Sequence, residues 1–403
     1  MFIENDGGRG SFKKELTPFA VMRCRKGDNM IYFDNSATTK IAPEALQSYV
    51  QTSERFWGNP SSLHRLGGQA FQVLEKAREH IATLLGAKTE EIYVTSGGTE
   101  SNNWAIKGTA LEKRVFGNHI ITTKIEHPSV LNTVKQLAQL GFEISYLDVD
   151  DKGEISLEQL ESMLKKETIL VSVMAVNNEI GVSQNIEEIS RILEQYPWVH
   201  FHVDAVQALE QVPDLLALGR IDLLSLSAHK FHGPRGVGIL YKKAGRKIQS
   251  LLTGGGQEKT ERSTTENLPG IVATAKAMRM YLEAPHPMKE IRDYLWSFLE
   301  QQPQIKIFSP KEGVDHILCF ALKGVRGEVL VHAFEEEDIY ISTTSACSSK
   351  KSDSSSTLAA MNIPDYWATS AVRASFSYLN TMDEAKQFVA VLEKLMKKFE
   401  FLK

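Results

Sequence analysis

Lys230 stands just past an apolar run, Leu223 to Leu226, and just before the turn residues Gly233, Pro234, Arg235 and Gly236. Val237 to Tyr241 then return as a second strand. Paired strands are a rigid mount for a nucleophilic amine, and Ser227 and His229 put hydrogen-bonding groups on either side of it. Such a lysine suits Schiff-base chemistry with an aldehyde cofactor such as pyridoxal phosphate. A solvated surface charge would use the same residue types, so the stretch alone leaves both readings open.

The second chemical feature is the turn Ser96, Gly97, Gly98, Thr99 and Glu100, between the strand-like EIYVT and the helix-compatible SNNWAIKG. Glycines let backbone approach an anion, and the N–H groups of a helix start, with the Thr99 hydroxyl, form a phosphate cradle. A plain helix cap would look alike. The GxGxxG spacing is absent, which disfavours a nicotinamide cofactor.

These residues need elements to bring them together. The run HIITT ends before His127, ILVSVM before Asn178, and VHFHV directly before Asp204 and Gln207. Any one of these is a common cap or turn residue. Their recurrence at successive strand ends points to an open α/β sheet with a ligand crevice at the carboxyl ends of its strands.

The bulk composition is that of an ordinary globular chain: 403 residues, net charge -4, 42% hydrophobic and 24% charged residues. Nothing global points to a nucleic-acid partner or a membrane, and without a signal-peptide pattern the expected location is the cytoplasm. Cys24, Cys319 and Cys347 are too few and too scattered for a disulfide framework or a metal site. Cys319, in HILCFALKG, is expected in the core. Cys347, in STTSACSSKKSDSSS, is expected on an exposed loop with a reachable thiol.

Residues 1–29 lack periodicity and are read as an extension or tag. Residues 30–265 are expected to form a large α/β domain, and residues 266–403 a small α+β domain carrying the Cys347 loop. From Ser61 to Gly86, Phe71, Leu74, Ala77, Ile81, Leu84 and Leu85 share one helical face, with Gly86 as the stop. Helical stretches are expected from about Ile271 to Gln302. Thr381 and Glu384 are spaced as a capping box for the last helix.

With Asp204, Gln207, Ser227, His229, Lys230, Cys347 and Arg373 in order, the chain resembles the cysteine desulfurases, pyridoxal-phosphate enzymes of the aspartate aminotransferase-like superfamily (fold type I). The match runs from about Ile31 to the C-terminal helix, through DNSATT, GNPSSLH, TSGGTESNN, EHPSV, VNNEIG, HVDAVQ, SAHKFHGPRG and SACSS. The SACSS pattern resembles the long-loop group. A selenocysteine lyase or a related lyase is the alternative within the same fold and cofactor class.

The resemblance implies a role for each matching residue. Lys230 would hold the cofactor and shuttle the substrate α-proton, and Asp204 would pair with the pyridine nitrogen. His127 would stack on the ring and Gln207 would bond its phenolic oxygen. Thr99, Ser227 and His229 would hold the phosphate. Thr265 would reach the phosphate of a second subunit, which implies a homodimer; the preceding position, often glycine in the family, is Thr264 here. Arg373 with Asn178 would clamp the carboxylate of L-cysteine, and Cys347 would take the sulfur as a persulfide, leaving L-alanine. The acceptor protein would be a tRNA-thiolation enzyme or an iron–sulfur scaffold. The stop at KKFEFLK, soon after the last expected helix, would favour the former.

Overall fold

The computed structural model describes residues 30–344 and 355–400. Its main sheet has seven strands, in the spatial order Ile92–Thr95, Gly238–Lys242, Leu223–Ser227, His200–Asp204, Thr168–Met174, His119–Thr123 and Glu143–Leu147. Gly238–Lys242 runs antiparallel to both neighbours, and all other pairings are parallel. The central strands are buried along their whole length, on both faces, and the polar residues they carry are buried with the apolar ones: Ser172, His202 and Ser225 are linked side chain to side chain.

Helices cover the sheet. Gly98–Lys113 packs on the strands Thr168–Met174, Leu223–Ser227 and Gly238–Lys242. On the other side, Pro43–Arg55, Arg65–Leu85 and Leu268–Glu283 pack together, and their apolar faces join the largest core. Arg65–Leu85 starts later than the pattern predicts, because His64 caps it by accepting from the Gly67 amide at 3.2 Å. It stops at Gly86, whose φ of 69° is the left-handed conformation that ends helices. Leu74, Ala77 and Ile81 are buried as predicted, whereas Phe71 is exposed on the first turns.

A second sheet of four antiparallel strands is ordered Ser342–Thr343, Ala371–Ser375, Ile317–Leu322 and Ile305–Ile307. Cys319 lies within it, fully buried. The helical stretches expected over 271–302 are two helices, Leu268–Glu283 and Met288–Leu299, separated at Pro285 and Pro287, whose rings cannot continue a helix. The final helix, Met382–Glu400, opens on a reciprocal capping box: the Thr381 amide donates to Glu384 at 2.7 Å, and the Glu384 amide donates to the Thr381 hydroxyl at 3.3 Å.

Two elements cross the boundary drawn at residue 265. Ile31–Tyr32 pairs in parallel with Ile339–Tyr340, and Ile31 and Phe33 are buried in the core of the four-stranded sheet. Leu268–Glu283 belongs instead to the core of the seven-stranded sheet. By contacts, the chain from Ile31 onward is one compact unit. Among the described residues, no helix is long and apolar enough to cross a membrane.

Candidate active site

The parallel strands all deliver their carboxyl ends to one edge of the sheet, and the polar residues singled out in the sequence follow those ends. Asp204 is the last residue of its strand and is 5% exposed. Its Oδ1 accepts from the Val206 amide at 3.0 Å, and its Oδ2 accepts from the Asn102 side-chain amide at 2.6 Å. Asn102 also donates to the Ser129 hydroxyl at 2.9 Å, which lies 2.8 Å from Nδ1 of His127. One chain of polar contacts thus joins His127 to Asp204.

His127 caps the helix Pro128–Gln139, and its Nδ1 accepts from the Ser129 amide at 3.1 Å. That bond needs the Nδ1 lone pair, so the neutral ring carries its proton on Nε2. Burial depresses the imidazole pKa; the charge of Asp204 works against that shift and the charge of Lys230 adds to it. The two charges also place Asp204 and Lys230 each within electrostatic reach of His127.

Lys230 closes the short turn Ala228–Lys230 that follows the strand Leu223–Ser227. Its Nζ donates to the carbonyls of Ser36, at 2.5 Å, and Ala37, at 2.9 Å. Gln207 Nε2 donates to the same Ser36 carbonyl at 2.9 Å. Both side chains line a cleft of about 370 Å³, part of it open to solvent. Beside Lys230, His229 Nδ1 lies 3.2 Å from the Thr38 hydroxyl, and burial, aided by Lys230 and Arg235, lowers its pKa to about 4. His229 is therefore neutral near pH 7.

The glycine turn lies against Ser227. A Cβ on Gly98 would stand 3.4 Å from that of Ser227 and 2.7 Å from Val206 Cγ2. A Cβ on Gly238 would come within 2.5 Å of the Gly97 carbonyl carbon, so that strand position must be glycine for the turn to pass. No side chain caps the helix that starts at Gly98, which leaves its first amides for an anion. Thr99, in the first turn, is exposed.

Arg373, from the four-stranded sheet, reaches the same region. Its Nη1 donates to the Asn178 backbone carbonyl at 2.8 Å and its Nη2 to Asp34 at 2.9 Å; Nε is buried without a partner. Asn178 thus contributes its carbonyl to the fork. Thr265 is exposed and lines a separate cleft with Thr95, Ser96, Arg262 and Thr264. Cys347 lies outside the described residues.

The sequence reading assigned no role to Asn102, Ser129, Asp34 or Ser36. Asn102 had a signal: it stands four residues after Gly98, hence on the same helical face. Among the described residues no cluster could hold a metal.

Comparison with known proteins agrees with this geometry. Residues 31–388 match the family model described as aminotransferase class-V. A Lactobacillus delbrueckii subsp. bulgaricus protein named "NifS/IcsS protein homolog" is 56% identical over 377 residues, covering 92% of this chain and 98% of the relative. The Clostridium botulinum cysteine desulfurase IscS is 40% identical over 378 residues, covering 92% and 95%. A solved structure titled "NIFS-LIKE PROTEIN" superposes with a TM-score of 0.84 at 37% identity, covering 92% of this chain and 100% of its own.

Proposed function

This chain belongs to the class-V aminotransferase family and has the function of a pyridoxal-phosphate-dependent cysteine desulfurase, and from that premise we propose which of its residues do the work. The reaction is L-cysteine plus a protein thiol giving L-alanine plus a protein persulfide. The cofactor fits the residues present: an uncapped helix start for its phosphate, a buried carboxylate for its ring nitrogen and an amine for its aldehyde. Bound, it supplies an electron sink.

The chain's own residues supply the rest. Thr99, Ser227, neutral His229 and the amides after Gly97 hold the phosphate. Asp204, kept in place by Asn102 and the Val206 amide, holds a positive charge on the ring nitrogen. His127 covers the ring, and Gln207 bonds its phenolic oxygen. The Arg373 fork, with Asn178 at its edge, takes the carboxylate of L-cysteine. Lys230 then removes the α-proton and later returns one to the α-carbon, which leaves one further proton to be supplied at the β-carbon. The sulfur leaves that carbon to the Cys347 thiolate, and the carbon takes a proton to complete L-alanine.

The observation that carries this reading is the Ser36 carbonyl shared by Lys230 and Gln207, which fixes amine and amide at one point. Borohydride reduction of the holoenzyme followed by peptide mapping tests it. Label on Lys230 is expected, and label on another lysine would overturn it.

The assignments extend to the assembly. A homodimer would bring Thr265 of each chain to its partner's phosphate. Residues 30–265 would supply the cofactor site, and residues 266–403 the arginine and the sulfur-carrying loop. The acceptor would be a cytoplasmic iron–sulfur scaffold or a tRNA-thiolation enzyme. A disulfide-exchange pull-down on the Cys347 persulfide identifies it, and an acceptor of neither class would reject that proposal. Mixing Asp204→Ala and Thr265→Ala subunits tests the dimer: heterodimers should regain part of the activity, and no recovery would count against a shared site.

A further inference from the structure

Glu126 is a buried acid that the mechanism above does not use. The strand His119–Thr123 pairs with Thr168–Met174 as far as Thr122 and Ser172 and then turns away. The Met174 amide would lose its acceptor on that side. Instead it donates to Glu126 Oε1 at 2.8 Å, and the Thr123 hydroxyl donates to the same oxygen at 2.9 Å. The side chain thus continues the ladder where the backbone leaves it, and it fastens the turn that ends in His127. Asn177 fastens that turn a second time, donating to the Ile125 carbonyl at 3.0 Å.

The other oxygen differs. Oε2 is buried with no hydrogen-bond partner, and the residue is 1% exposed. An ionised carboxylate with one bare oxygen in a dry site is strongly disfavoured. Met174 is the register partner of Asp204, so the two carboxyl groups belong to adjacent chain ends at the same edge of the sheet. Burial raises the Glu126 pKa to about 8; the Met174 amide opposes, the Asp204 charge adds, and the Thr123 hydroxyl opposes. The charged group among these is Asp204, an anion.

We propose that Glu126 is a positioning residue that retains its proton, seats the turn carrying His127 and spares Asp204 a second negative charge beside it. The inference rests on the reading of Asp204 as the partner of the ring nitrogen. In that reading, an ionised neighbour would compete for the stabilising influence of the same buried surroundings, whereas a neutral acid gives Asp204 a fixed edge without altering the charge of the site.

Glu126→Gln and Glu126→Ala test this. Glutamine keeps the Oε1 acceptor and the neutrality, so the cofactor dissociation constant, read from the visible absorbance of the bound form, should stay within about threefold of wild type. Alanine strands the Met174 amide and should weaken cofactor binding by roughly tenfold or more. A purely structural acid would show the same pair of effects, so infrared spectroscopy supplies the separating readout. Wild-type holoenzyme at neutral pH should show a protonated-carboxyl C=O band that Glu126→Gln lacks. Absence of that band, or a Gln variant with more than about tenfold weaker binding, would overturn the proposal. Asp204→Asn, measured alongside, distinguishes the two levels. If it binds cofactor like wild type, the reading of Asp204 fails; if it is defective while Glu126→Gln is also defective, only the Glu126 assignment fails.

Discussion

Asn102 donates to Oδ2 of Asp204 at 2.6 Å across 102 residues of sequence, and the same amide group donates to Ser129. The Asn102 side chain is therefore a brace between the acid at one strand end and the histidine at another. Its carbonyl oxygen is buried and unpartnered, so the side chain acts here as a donor to both groups. Asn102→Ala should leave the fold intact and weaken cofactor affinity by about tenfold, the usual cost of a lost bond to a buried charge. Equilibrium titration of the apoprotein with cofactor measures this; an unchanged dissociation constant would remove Asn102 from the site.

Arg373 presents a fork of which Asn178 and Asp34 occupy one hydrogen each. A lysine there would keep the charge and lose the planar pair. Arg373→Lys should raise KM for L-cysteine by roughly ten- to a hundredfold, with a smaller change in kcat. Steady-state alanine formation decides it, and an unchanged KM would show that the carboxylate binds elsewhere.

Cys347 is assigned as the sulfur acceptor from the SACSS motif. Cys347→Ala should still change the visible spectrum on addition of L-cysteine, because cofactor and substrate binding rest on Lys230, Asp204 and Arg373. It should form no persulfide. Intact mass before and after dithiothreitol reports the added sulfur. Cys319 is the internal control, since burial pushes its thiol well above the usual range and it is wholly enclosed. Added sulfur on Cys319 or Cys24 would contradict the assignment.

Stability should depend on pH in two opposed ways. Burial lowers the pKa of His202 to about 3, and those of His229 and His316 to about 4. Each is neutral when folded but takes a proton when unfolded below pH ~6.5. Their contribution is complete above that pH and is lost as pH falls toward 4. Glu126 acts in reverse: folded it stays protonated up to about pH 8, unfolded it ionises above pH ~4.5, so stability is lost as pH rises between those values. Thermal unfolding across pH should therefore show a steep acid limb. Replacing His202, held between Ser172 at 2.8 Å and Ser225 at 3.0 Å, with glutamine should flatten that limb. An acid limb as steep as in wild type would refute the assignment of that limb to buried histidines.

Sequence order alone determined what is local. Mostly apolar runs followed by polar residues placed Asp204, His127 and Lys230 at or just past strand ends, because strands buried on both faces are rich in apolar residues. Gly86, the Thr381–Glu384 pair and the buried Cys319 were legible for the same reason: caps and core residues are short-range requirements. What only the tertiary structure decided is long-range. Arg373 meets Asp34 across 339 residues, and the first strand completes the core of the last part of the chain. The amide of Met174 finds its acceptor in a side chain and not in a strand. Periodicity says which face of an element is buried, but not which other element will cover it. The partners of Asn102, Arg373 and Glu126 are set only once the sheets have closed and every buried donor has had to find an acceptor.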